Sequence, residues 1–115
     1  MNIILRIIIT AVVAFALSYV LSGVHLDSFV TALILAVVLG LLNLIVKPIL
    51  VILTLPITIF TFGLFLFVIN ALIILLAKKF VSGFQVDGFW WAMLFSLLLS
   101  VITSFLYRKS THTEN

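Results

Sequence analysis

From Ile49 to Ala77 the sequence holds no charged side chain. As one helix this stretch would run about 43 Å at 1.5 Å per residue, longer than the roughly 30 Å hydrocarbon core of a bilayer. Pro56 divides it, and proline fits the first turn of a helix better than its middle. Three further apolar runs share this character. Ile3 to Leu21 is interrupted only by Arg6, Thr10 and Ser18. Phe29 to Val46 is followed by Lys47-Pro48, and Phe89 to Tyr107 by Arg108-Lys109. With 66% hydrophobic and 8% charged residues in 115, the chain cannot dress a water-facing surface, so lipid must solvate most side chains.

Each run predicts a membrane helix. Asp27 or Ser28 suits the N-cap of the second and Asp87 that of the fourth, where a side-chain oxygen accepts a free N–H of the first turn. The third is expected from about Pro56 to Ala77, closed by Lys78-Lys79, with Pro48 to Leu55 as a short apolar segment in or dipping into the interface. A cleaved leader is the rival reading of the first run, since Ala16-Leu17-Ser18 has a small-x-small form. The internal repeat speaks for a retained span.

That repeat sets the organisation. Ser22-Gly23-Val24-His25-Leu26-Asp27-Ser28-Phe29 returns as Ser82-Gly83-Phe84-Gln85-Val86-Asp87-Gly88-Phe89, so Gly23, Asp27 and Phe29 stand 60 residues before Gly83, Asp87 and Phe89. At the same offset Ile9-Thr10-Ala11 falls on Ile69-Asn70-Ala71, Ala32 on Ala92 and Leu39 on Leu99. The expected fold is an all-α integral membrane protein with four transmembrane helices, arranged as two tandem helical hairpins in a parallel internal repeat. The first hairpin covers 1–47, an apolar interfacial or re-entrant connector 48–60, the second hairpin 61–109, and a polar tail 110–115. Arg6, Lys47, Arg108 and Lys109 then share one membrane face, and Lys78 and Lys79 the other. The positive-inside rule puts the first group, both termini and the tail in the cytoplasm, and the aspartate loops outside.

Lipid offers no hydrophobic drive for helix association, so close approach of small residues and interhelical hydrogen bonds must supply it. Small side chains recur every fourth residue at Thr10, Ala14, Ser18 and Ser22, at Ala32, Ala36 and Gly40, and at Ala92, Ser96, Ser100 and Ser104. These predict tight packing of the first, second and fourth spans. The third, carrying Phe60, Phe62, Phe65 and Phe67, is expected to turn bulk partly toward lipid. Phe29, Phe89, Trp90 and Trp91 fit an aromatic belt. Asn43 and Asn70 are the most polar groups within the spans, suited to bonding across helices or to lining a polar lumen.

No catalytic, cofactor or metal site is legible. There are no cysteines, no phosphate loop and no nucleophile–base pair, and His25 stands without a second ligand. An enzyme is not expected. The net charge of +3 is scattered at run ends, which suits membrane orientation and not nucleic acid. The expected partners are the bilayer and further copies of the chain; no other protein partner is indicated.

The two G-x-x-x-D-x-F loops, Gly40-Leu41-Leu42-Asn43, Lys47-Pro48-Ile49-Leu50, Leu55-Pro56 and Phe65-Leu66-Phe67-Val68-Ile69-Asn70-Ala71 together resemble the mycobacterial-type four-span phage holin superfamily, which includes YvlD-like bacterial membrane proteins. The similarity covers nearly the whole chain except the tail. It implies a small four-helix protein of the bacterial inner membrane, and the holin label implies oligomeric lesions that release a lysin. It supplies no catalytic residue. Three roles follow: a resident envelope protein acting through helix packing and self-association, a lesion-forming holin, or a small channel or carrier with an outer aspartate mouth.

Overall fold

The computed structural model describes residues 2–113. Its elements run α1 (Ile3–Val20), β1 (Val24–Leu26), α2 (Phe29–Leu53), α3 (Leu55–Phe60), α4 (Phe65–Phe80), β2 (Phe84–Val86) and α5 (Phe89–Thr113). Helix α1 packs on α2 and α5, and α4 packs on α5 and α2, so four helices form a ring in which the diagonal pairs stay apart among the described residues. Helices α1, α2 and the Phe89–Lys109 part of α5 are long and apolar enough to cross a membrane. Helix α4 has 16 residues, about 24 Å of rise.

The core is built from small side chains next to large ones. Ala11, Ala14, Ala32, Ala71, Ala77 and Ala92 are fully buried, which lets the backbones approach closely. Phe84, Phe95, Leu35, Val24 and Val86 fill the space beneath the two strands. Burial follows the sequence offset: Ala11 and Ala71, Val13 and Ile73, Leu17 and Ala77, Ala32 and Ala92, Leu35 and Phe95, and Leu39 and Leu99 are all buried. Ile3, Val20, Val30, Leu44, Trp90 and Val101 lie on the outside, a surface suited to lipid and not to water.

Four boundaries differ from the sequence reading. Helix α2 does not stop at Lys47-Pro48 but carries Pro48 inside it and ends at Leu53. Proline removes one N–H, and in hydrocarbon the alternative to helix is unsatisfied backbone throughout, so the helix persists past a single defect. Its end lies at Thr54, whose N–H and hydroxyl both reach the Leu50 carbonyl, at 3.0 and 2.7 Å, two residues before Pro56 blocks continuation.

The span expected from Pro56 is split. Pro56 does open a helix, but α3 ends after six residues. The chain reverses at Thr61–Leu64, where Phe62 (φ 56) and Gly63 (φ 88) are left-handed. Helix α4 also belongs to the core through Ile69, Ala71, Ile73, Ile74 and Ala77. The expected bulk toward lipid is confined largely to the connector, where Phe60 and Phe62 are 86% and 96% exposed. Finally, α5 runs on to Thr113, through the first part of the expected polar tail; residues 114–115 lie outside the described residues.

Phe95→Ala should lower stability by about 3 kcal/mol, since it empties a fully buried aromatic site. Thermal unfolding in detergent, followed by helical signal, reads this directly. A loss no greater than that of Trp90→Ala, on the exposed surface, would mean the plug is not packed as described.

Candidate functional site: a strand-sealed end and an opposing polar cleft

The two repeated loops meet. Strands β1 and β2 pair antiparallel, with Val24 opposite Val86, His25 opposite Gln85 and Leu26 opposite Phe84. The ribbon is extended by reciprocal bonds: Asp27 N–H donates to the Gly83 carbonyl at 3.1 Å and Asp87 N–H to the Gly23 carbonyl at 2.8 Å. The entry turns also correspond. Leu21 N–H bonds to Leu17 O and Val81 N–H to Ala77 O, at 2.8 and 3.0 Å. Strands of three residues can form here because the helices beneath them hold the two loops together.

The two aspartates face water. Ser28, not Asp27, caps α2, its hydroxyl accepting from Thr31 N–H at 3.2 Å. Gly88 (φ 145) precedes α5, and its carbonyl accepts from Ala92 N–H at 3.0 Å. Asp87 instead stands 3.7 Å from His25 Nε2, both side chains more than half exposed, so the pair is solvent-screened and contributes little. Among the described residues no group of three His, Cys, Asp or Glu side chains could hold a metal ion.

The matched glycines serve different ends. Gly83 needs its left-handed backbone (φ 91), and the Asp27 carboxylate lies against it. Gly23 is required by contact: a Cβ there would stand 2.2 Å from the Trp91 ring. Trp91 therefore leaves the expected aromatic belt and lies over the ribbon, half-buried. Trp90 remains outside at 76% exposure. Phe29 packs edge-on to Phe15, and Phe89 to Trp90. Lys78 is a strut, donating from Nζ to the Val86 carbonyl at 3.1 Å.

At the far end of the bundle α1 and α5 are tied by Tyr107. Its hydroxyl hydrogen-bonds to Thr10 and donates to the Arg6 carbonyl at 3.3 Å, while the Arg6 guanidinium lies 4.7 Å from the ring centre. The sequence reading missed this tie because its members stand at opposite ends of the chain.

Between α2, α4 and α5 the bundle opens. A shallow, open cleft is lined by Leu39, Asn43, Lys47, Asn70, Ile73, Ile74, Ser96, Leu99 and Ser100. Asn43 and Asn70, predicted as intramembrane polar residues, thus come together with Ser96 and Ser100, predicted as packing residues. Ala32, Ala36, Ala92 and Ser96 are buried in the bundle, whereas Gly40 and Ser100 are exposed. The small-residue stripes of α2 and α5 close the ribbon half and run out to the surface in the other half, whereas on α1 Ala14 is buried and Ser22, beside the ribbon, is exposed. Sequence periodicity could not show a cleft whose polar groups come one or two from each of three helices.

The family model for the mycobacterial four-span phage holins of superfamily IV matches residues 1–105. The chain belongs to this holin superfamily. Two relatives agree. The membrane protein YvlD of Bacillus subtilis is 38% identical over 96 residues, covering 83% of this chain and 81% of its own. The protein SCO3922 of Streptomyces coelicolor is 44% identical over 81 residues, covering 67% of this chain and 65% of its own. No solved structure matches. Membership of the superfamily and the likeness to YvlD agree with the resemblance carried by the two aspartate loops, and make this a small membrane protein of the holin-like family.

Gly23→Ala should cost about 1–3 kcal/mol through the Trp91 contact, and a second change, Trp91→Leu, should recover most of it. Gly83→Ala should not be rescued by Trp91→Leu, because its penalty lies in the backbone. Thermal midpoints of the four variants decide; equal rescue of both glycine variants would contradict these assignments.

Proposed function

We propose that the protein is a resident, non-enzymatic four-span component of the bacterial inner membrane. In this reading it is built from two tandem hairpins, has both termini in the cytoplasm, and acts as a self-associating helical bundle. The observation that carries the reading is the closed ribbon end. Reciprocal backbone bonds join the two halves, and Phe84, Phe95, Leu35, Val24 and Val86 plug the space below. A bundle sealed in this way has no path through a single copy. The parallel repeat is supported by the pairing of the loops about His25 and Gln85 and by the burial shared at the 60-residue offset. The inside-terminus orientation is supported by Arg6, Lys47, Arg108 and Lys109 at the end away from the ribbon. The opposing lysine pair weighs less than its charge suggests, because Lys78 is engaged on β2. Helix α4, with α3 and the apolar connector at its base, is the fourth span.

Self-association is supported by Gly40, which is exposed and, beyond its chain neighbours and its own helix backbone, has no atom within 4 Å of the place its Cβ would occupy. A neighbouring helix can approach closely there. Lesion formation remains the second reading, supported by the superfamily's name.

Single cysteines at 25, 85 and 112 of this cysteine-free chain test the orientation. Impermeant reagent should reach 25 and 85 from outside and 112 only from within; labelling of 25 and 85 from opposite sides would end the parallel repeat. Gly40→Leu should shift the chain toward monomer in light scattering while leaving the thermal midpoint within about 1 kcal/mol equivalent. Induced expression should leave membrane potential and growth intact, and abrupt potential collapse would favour the holin reading.

A further inference from the structure

We propose that the cleft between α2, α4 and α5 is a binding site for an anionic phospholipid, with Lys47 holding the phosphate. Lys47 is half-buried in the cleft wall. Among the described residues the carboxylates are Asp27 and Asp87, both at the ribbon. Lys47 stands about 27 Å along α2 from Phe29, several Debye lengths from either. Among the described residues the charges at that end are Arg6, Arg108 and Lys109, all of the same sign. A half-buried ammonium in a low-dielectric groove needs a counter-ion, and the described chain supplies none.

Depth and chemistry point to the lipid. With the ribbon at one interface of a roughly 30 Å core, Lys47 stands at the height of the phosphates of the other. Asn43, Ser100 and Asn70 lie about 15–21 Å from the ribbon end, from the middle of the core into that same leaflet, so the cleft runs from acyl depth up to Lys47. Ser96 spends its proton on the Met93 carbonyl at 2.9 Å and presents an acceptor. Leu44, Val101 and Phe105, on the same helices α2 and α5, are exposed and apolar, a surface on which acyl chains can lie. A free anion would leave these surfaces unused, and a zwitterionic lipid would bring its own cation. The assignment depends on the cleft and not on which side of the membrane is cytoplasmic, so it can fail while the proposed orientation stands.

The test uses the full chain in uncharged detergent, with short-chain phosphatidylglycerol, short-chain phosphatidylcholine and glycerol phosphate as probes, read by native mass spectrometry. Phosphatidylglycerol should bind at least about tenfold tighter than phosphatidylcholine, as a charge-assisted hydrogen bond allows. Lys47→Gln should remove that preference and Lys47→Arg should keep it. Asn43→Asp, which gives Lys47 a carboxylate one turn away, should remove it as well without deleting the lysine. Lys109→Gln, at the same membrane face, should cost no more than the roughly fivefold of general surface attraction. Equal binding of the two lipids would overturn the proposal. So would a Lys47→Gln effect no larger than that of Lys109→Gln, or glycerol phosphate displacing phosphatidylglycerol at equal concentration.

Discussion

Backbone N–H and C=O groups have no partner in hydrocarbon, and this constraint shapes every part of the chain. Within the bilayer it is met by helix. It explains why α2 ignores Pro48 and why Thr54 folds its own hydroxyl onto the Leu50 carbonyl at the first real break. At the water boundary helix is no longer compulsory, and there the two loops meet the same demand by bonding to one another. Asp27 and Asp87 donate backbone N–H to the Gly83 and Gly23 carbonyls, and the strands between them pair. The ribbon is therefore more than a turn between helices. It joins the backbones of the two halves, which also pack through α1 on α5 and α2 on α4.

From that end the bundle tapers. Under the ribbon, fully buried alanines bring the helices close and Phe84 and Phe95 fill what remains. Farther away the small residues leave the interior, Gly40 and Ser100 face outward, and a polar cleft opens around Asn43 and Asn70. The closed half suits a resident packed protein. The open half is where binding chemistry can reside, because it joins amide and hydroxyl groups to Lys47, which has no carboxylate beside it among the described residues.

The sequence made the membrane, the loops and a few small-residue core positions, Ala32, Ala36 and Ala92 among them, legible. Apolar length and scarce charge leave few alternatives, and glycine, aspartate and phenylalanine rarely recur together by accident. The pairing of the loops was not legible: Val24-His25-Leu26 and Phe84-Gln85-Val86 are too short to show a strand period. Pro48 was misread because a proline rule from water-soluble proteins understates the cost of leaving a helix in lipid. Gly23 looked like its twin Gly83, yet its requirement comes from Trp91, far along the chain. The strut from Lys78 and the tie from Tyr107 to Thr10 likewise join residues that no local pattern connects.

The account turns on the two loops lying face to face on one side of the membrane. His25→Cys combined with Gln85→Cys measures this most directly, because these residues are opposed in the ribbon and cross-strand neighbours fall within disulfide reach. In native membranes under mild oxidation the double variant should form an intramolecular bridge nearly completely, with monomer mobility. Free thiols alone, or bridges only between copies, would contradict the account.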